Sequence, residues 1–384
     1  MRRLLIAAVG LIASGSAAGA FSWNADKDKL ALDLVRQFQA AHHVPSIAVS
    51  VTLDGRTILA KGLDAAGLPA SRGEDVRYPI GSVTKQFTAA AILAMIEDKV
   101  IVPGTGKPLT LDTNGLELFP SLDPKGESSR LTVRRLLTMT SNLPSYTDDD
   151  FALDADQTGV AAAARSVDAE AIIARLRTYK LTGPPQAFSY SNTNYFVLSL
   201  VIQVLQNGYE KASPSVAHKY IADRLLARAG MQDTGFVGEP SPRPGIEAAP
   251  HYLYARRFDQ GDWPMGAGDM VSTAADMARW NAALTTGKVL SPDAVHMMFA
   301  PAVTVTNSLV YTGCSYGMGW YVCRRPGFDL FQHDGVIAGY MASSAIGWKS
   351  GSWMSATVLA DLDATVDIVE LVRSLIQAGA EESR

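Results

Sequence analysis

Along the chain, apolar residues switch between two periods. Residues 26–44, DKDKLALDLVRQFQAAHHV, carry a helical repeat. Two alternating runs follow, SIAVSVTL and RTILAKGL, on either side of Asp54-Gly55, and this pattern predicts a β-hairpin. The next segment, GSVTKQFTAAAILAMIEDKV, predicts a helix that is apolar nearly all round from Phe87 to Ile96 and is therefore buried. Helical patterns fill the middle: LTVRRLLTMTS, DAEAIIARLRTYKL, NYFVLSLVIQVLQNG and VAHKYIADRLLARAG. STAADMARWNAALTTG opens with Thr273 and Asp276 at capping-box spacing. The end of the chain returns to strands, YGMGWYVC, FDLFQHD, YMASSAIGW and SWMSATVLA, separated by Pro326-Gly327, Gly335 and a turn at Lys349–Gly351. A last helix places Ile368, Val372 and Leu375 on one face.

Strands therefore open and close the chain, with helices between. The simplest packing is an α/β (α+β) fold in which both strand groups share one antiparallel sheet covered by the terminal helices. The expected division is 21–85 with 301–384 for the sheet domain and 86–300 for an inserted, mainly helical domain. Of the 384 residues, 47% are hydrophobic and 19% charged, enough for one large core or two modest ones. The net charge of −4 and the lack of a long basic run exclude nucleic acid as a partner. Residues 1–20 have the layout of a secretory leader: Arg2 and Arg3, an apolar run from Leu4 to Ala13, then small residues ending at Ala20. We expect cleavage after Ala20, a periplasmic or secreted product, and no membrane span thereafter. Cys314 and Cys323 are the two cysteines. Export permits a disulfide between them, whereas placement on one extended strand would hold them too far apart.

The candidate chemistry begins at Ser82 and Lys85, three residues apart at the mouth of the buried helix. On one helical face, a lysine against apolar walls has a lowered pKa and can accept a serine proton, which gives a nucleophile without histidine. Alone, the pair has plain roles open to it: a capping serine and a lysine reaching for water. Two further triplets change the balance. Tyr190-Ser191-Asn192 precedes an apolar helix, and His333-Asp334-Gly335 lies between strand-like runs. Each alone would read as core filling, a cap or a hairpin turn. Together, in order, they resemble the Ser-x-x-Lys, Tyr-x-Asn and Lys/His-x-Gly motifs of the serine β-lactamase and penicillin-binding-protein family. LLTMTSNLP, GMQDTGF, GAGDMVSTAADMARW and YGMGWYV resemble its branch of class C β-lactamases, D-alanyl-D-alanine carboxypeptidases and family VIII esterases.

The resemblance implies a β-lactamase/transpeptidase-like fold, no cofactor, and an acyl-enzyme on Ser82. It implies that Lys85 and Tyr190 share the serine proton, with the choice of base open. Asn192 would bind Lys85 and substrate, His333 would flank the cleft, and Gly335 would let substrate lie against its strand. The N–H groups of Ser82 and Val336 would form the oxyanion hole. The expected activity is that of a D-alanyl-D-alanine carboxypeptidase or a D-amino-acid peptidase or amidase acting on the cell wall, with a family VIII-type carboxylesterase or weak β-lactamase as the alternative. Histidine at 333, where β-lactamases of this type carry lysine, moves the balance away from β-lactams. Met139 and Asn142 depart from the histidine and glycine usual in the family, and Gln186 interrupts a usual Pro-Pro-Gly.

Three rival readings remain. Gly313–Gly317, GCSYG, fits a nucleophile elbow, but that elbow needs a helix after it and a strand-like run follows. A non-catalytic sensor of peptidoglycan or β-lactams would be expected to have lost one of Ser82, Lys85, Tyr190 or Asn192. The six histidines show no metal-ligand spacing, and His42 and His43 point to different sides of a helix. Asp148–Asp150 reads as a solvated loop rather than a calcium site.

Overall fold

The computed structural model describes residues 19–64, 73–114, 131–147, 187–208, 213–240, 265–337, 339–362 and 367–381, with single positions 118, 172, 174 and 176. The expected leader up to residue 18, most of the helix expected from Asp168, Gln186 and Asp148–Asp150 lie outside these residues.

Helix α1, Ala25–Ala41, begins at Asn24, whose side chain accepts the Lys27 N–H. It ends before His42. His43 has φ of +52°, so the two histidines follow the helix instead of flanking it as expected. Strands β1, Ser46–Leu53, and β2, Arg56–Asp64, form the expected hairpin, with positive φ at Asp54 and Gly55. β3, Tyr78–Pro79, leads through a 3₁₀ turn, Gly81–Val83, into α2, Thr84–Glu97. Every residue of α2 from Thr84 to Met95 is buried, as its apolar circumference requires.

Next come α3, Val133–Leu137, and α4, Asn192–Asn207. α5, Pro214–Ile221, runs on through a π-type segment, Ala222–Leu226. β4, Gly235–Phe236, and β5, Met270–Ser272, precede α6, Ala274–Thr285, where Thr273 caps by accepting the Asp276 N–H. The Asp276 carboxylate accepts from the Asp233 N–H and the Thr234 hydroxyl. α7, Pro292–Phe299, leads to β6, Val303–Thr304, β7, Ser315–Tyr316, β8, Tyr321–Arg325, β9, Phe328–Ile337, β10, Tyr340–Lys349, and β11, Ser352–Ala360. α8, Asp367–Ala380, closes the fold.

The main sheet has eight strands in the order β2-β1-β11-β10-β9-β8-β7-β6, so the two ends of the sequence meet in its middle. All its pairings are antiparallel. Both α1 and α8 pack on it, as does α6, which lies against β1, β2 and β11. Asn281 of α6 donates to Ser344 and Thr357 across the sheet face. The sheet's cover thus draws on a helix that the expected division assigns to the insert. A small sheet, β3-β5-β4, ties the approach to Ser82 to the segment before α6.

Two strand expectations are corrected. Gly335 does not separate strands, because β9 continues through it to Ile337. YGMGWYVC is not one strand either. It bends at residues 317–320, closed by the Gly317 N–H on the Trp320 carbonyl at 2.8 Å. β7 and β8 then pair, Tyr316 opposite Tyr321, which brings Cys314 and Cys323 to a Cα separation of 4.5 Å and a disulfide. A cross-link over so short a loop contributes about 2–3 kcal/mol. Changing both cysteines to serine is expected to lower the thermal unfolding midpoint, and reductant should then leave the double variant unmoved while bringing the parent down to it.

Candidate active site

The 3₁₀ turn presents Ser82 because its neighbours pin it on two sides. The Ile80 N–H donates to the Met270 carbonyl at 3.0 Å, which fixes the turn to β5. On the other side lies β9. A Cβ on Gly335 would stand 1.9 Å from the Ile80 carbonyl oxygen and 2.8 Å from the Ser82 nitrogen. Gly335 is therefore required by the nucleophile's own turn. Reciprocally, the Val336 nitrogen lies 2.9 Å from where a Cβ on Gly81 would stand. The backbone nitrogens of Ser82 and Val336 thus both lie where the turn meets β9.

Lys85 opens α2 one turn after Ser82 and is fully buried. Its Nζ lies 2.8 Å from Ser82 Oγ, 2.7 Å from Asn192 Oδ1 and 2.8 Å from the Ala267 carbonyl oxygen. Three acceptors satisfy the three N–H bonds of an ammonium. A neutral amine has only two N–H bonds and a lone pair. The Ala267 carbonyl and the Asn192 amide oxygen can only accept, so they take both N–H bonds and turn the lone pair toward Ser82. Burial pulls the Lys85 pKa down to about 7, against the attraction of Asp334 and Asp269.

Tyr190 approaches from the segment before α4, and its hydroxyl donates to Ser82 Oγ at 2.9 Å. Burial raises its pKa well above the ordinary phenol value and outweighs the hydrogen bond to Ser82. Burial thus moves the two groups in opposite directions, the amine toward losing its proton and the phenol toward keeping it. Asn192 is the first residue of α4 rather than its cap. The Ser145 hydroxyl accepts its backbone N–H, and its side-chain amide donates to the Thr147 hydroxyl at 3.0 Å, which docks residues 144–147 beside the site.

His333 is in the expected strand, but its side chain is enclosed, with 1% exposure. Nδ1 lies 2.7 Å from the Asp334 carbonyl, which can only accept, so Nδ1 carries the proton. Nε2 then accepts from the Tyr316 hydroxyl at 3.3 Å. Burial first, and Lys85 second, push its pKa down to about 3. The ring packs against Tyr190 and Tyr321, with centroids 6.2 and 5.2 Å away. In place of the substrate contact expected of it, His333 is a neutral support for Tyr190.

Met139 and Asn142 both have positive φ, +57° and +59°. Asparagine tolerates that region better than most residues, which accounts for its standing where glycine is usual. Ser315 lies in β7, and a strand follows it, so GCSYG forms no elbow. Among the described residues no group of three or more His, Cys, Asp or Glu could hold a metal, and no helix is long and apolar enough to cross a membrane. Ala267, Tyr316 and Tyr321 were not among the expected site residues. Ala267 lies in the family-like GAGDMVST, but it acts through a carbonyl that every residue has.

The lowered Lys85 pKa has a consequence for stability. Between about 7 and the ordinary 10.5 the unfolded lysine holds a proton that the folded one lacks, so stability rises with pH across that window. Relative to Lys85→Met, the unfolding free energy is expected to climb by up to about 1.4 kcal/mol per pH unit above pH 7. Denaturant melts at pH 6 to 9 would read this difference, and a flat one would contradict the lowered pKa.

The beta-lactamase family model matches residues 32–351. An unguisins hydrolase of Aspergillus campestris is 26% identical over 332 residues, which are 82% of this chain and 58% of that protein. The D-aminopeptidase of Brucella anthropi is 27% identical over 330 residues, 84% of this chain and 56% of that protein. The chain thus spans a little over half the length of these curated relatives. The D-amino acid amidase of Ochrobactrum anthropi SV3, solved with D-phenylalanine, matches with a TM-score of 0.69 at 20% identity, over 92% of this chain and 99% of that one. The sheet order, the convergence of three motifs on Ser82 and a family match over most of the sequence agree: this chain belongs to the beta-lactamase family.

Proposed function

We propose that this protein is an exported serine hydrolase that forms an acyl-enzyme on Ser82 and takes D-aminoacyl amides and short D-configured peptides as acyl donors. The observation that carries the reading is Ser82 Oγ held between an amine of lowered pKa and a phenol of raised pKa. The neutral Lys85 amine takes the Ser82 proton as Oγ bonds to the substrate carbonyl carbon. The Ser82 and Val336 N–H groups meet the resulting oxyanion; such donors each contribute about 3 kcal/mol. Tyr190 gives its proton to the departing amine, and the nearby Lys85 ammonium, 5.1 Å from the Tyr190 ring centroid, then gives its proton to the Tyr190 phenolate, which restores both groups. Water then attacks the ester by the same route in reverse.

The substrate class rests on His333. Where a lysine would hold a substrate carboxylate, this ring is neutral, enclosed and engaged at both nitrogens. That disfavours donors that end in a carboxylate, for which this ring supplies no charge. Donors without that carboxylate are favoured, and the names of the D-aminopeptidase and D-amino acid amidase relatives supply the D-aminoacyl class. Simple esters form the second reading, favoured by the same absence of charge on His333.

D-alanine p-nitroanilide, its L-enantiomer, p-nitrophenyl acetate and benzylpenicillin should be compared on the parent, with intact mass followed over time. Turnover of the D-anilide is expected, with an acyl adduct that Ser82→Ala lacks. Lys85→Met should lower kcat/KM by about 10⁴ and Tyr190→Phe by about 10². The rate should rise through an acid limb near pH 7 as Lys85 loses its proton. Turnover of the ester alone would select the second reading, and a lasting penicillin adduct would overturn the argument from His333.

A further inference from the structure

Lys85 can serve as base only while the Ala267 carbonyl holds one of its N–H bonds, and the turn that carries this carbonyl is itself anchored. Asp269 is 5% exposed, and its Oδ1 accepts the Gly266 N–H at 3.1 Å. Its Oδ2 lies 2.9 Å from Nε2 of His218 on α5. The other ring nitrogen, Nδ1, lies 3.1 Å from Glu239 Oε1, and the ring stacks on Phe236 at 3.7 Å. The same turn grips α2 from the opposite side. The Thr88 hydroxyl donates to the Gly266 carbonyl at 2.7 Å, and the Thr84 hydroxyl accepts the Met270 N–H at 3.2 Å.

We propose that His218 and Asp269 are positioning residues for Lys85: an ion pair between α5 and the 266–270 turn that aims the Ala267 carbonyl and sets the charge facing the amine. Two carboxylates on His218 overcome its burial and raise its pKa to about 9, so it carries a positive charge at neutral pH. The charged groups around it are Asp269 on the turn, Glu239 after β4, and Arg77, which acts on Glu239. Those facing Lys85 are Asp269 and, from β9, Asp334. The Asp269 charge favours the Lys85 ammonium, and the His218 cation offsets that charge. The pair therefore keeps the turn rigid without restoring the lysine's proton. The Ser-x-x-Lys, Tyr-x-Asn and Lys/His-x-Gly triplets contain neither residue, and of the two only Asp269 lies in a family-like stretch, GAGDMVSTAADMARW.

The inference rests on Lys85 acting as the base for Ser82, and its test separates the two. His218→Gln retains an N–H for Asp269 but removes the positive charge. The acid limb of kcat/KM for D-alanine p-nitroanilide should then move up by about half a pH unit. Asp269→Asn removes the negative charge, and the limb should move down. A merely structural pair would lower the rate with the limb fixed in both variants, and that result would overturn the proposal. A second readout needs no turnover: NMR titration of lysine labelled at Cε, with the Lys85 signal identified by its loss in Lys85→Met. His218→Gln alone should raise that midpoint, and an unchanged midpoint would sink the proposal even if Asp269→Asn fails to fold. A parent that lacks Ser82-dependent turnover would defeat the functional reading, and the NMR midpoint would still decide this one.

Discussion

One buried amine constrains the rest of this structure. A lysine surrounded by protein pays for the loss of water unless acceptors surround it or its proton leaves. Here both conditions are met in part. Three oxygens satisfy the charged form, and burial makes the neutral form accessible near neutral pH. Two of those oxygens cannot donate, so when the proton leaves only one direction is open to the lone pair. Base strength and aim come from the same three contacts, and each oxygen belongs to a different element: the turn before α2, the start of α4, and the turn before β5.

That dependence explains why the surroundings are so closely determined. α2 is apolar around its circumference because other helices pack on it, and the burial this produces lowers the pKa of the lysine near its start. The stack of Phe87 on Trp280, with ring centroids 4.0 Å apart, seals one flank. On the other flank, Tyr316, Tyr321 and His333 form an aromatic wall behind Tyr190, closed by the Cys314–Cys323 bond. Tyr311 lies face to face with Tyr321 and donates to the Asp334 carboxylate at 2.7 Å. The polar chemistry is thus confined to one edge of an otherwise dry environment.

Much of this was legible in the sequence, and the rest was hidden for physical reasons. Asp54-Gly55 announced its hairpin because few residue pairs accept positive φ at both positions. The all-apolar α2 announced its burial. Ser82, Lys85, Tyr190 and Asn192 converge as their motifs suggested, since each needs a particular side chain. What sequence concealed acts through the backbone or across long separations. Gly335 looked like a turn because glycine usually marks one, whereas here it makes room for the Ile80 carbonyl. The bend at 317–320 was lost inside a run of apolar residues, and with it the disulfide. Ala267 contributes an oxygen common to all residues. His218 pairs with a carboxylate 51 positions away, and no local spacing encodes that.

The sheet order also bears on how the chain reaches this state. β1 pairs with β11, and the Ser82 turn is wedged against β9, so residues near the start wait for partners roughly 250–310 positions later. Such distant pairings fold slowly, because loop closure comes before the contacts that reward it. Until α4, α5 and α7 arrive to pack on it, α2 presents a sticky apolar rod. A growing chain of this design is therefore vulnerable to aggregation and also inert, since the Val336 N–H joins the nucleophile's turn only after β9 has been made.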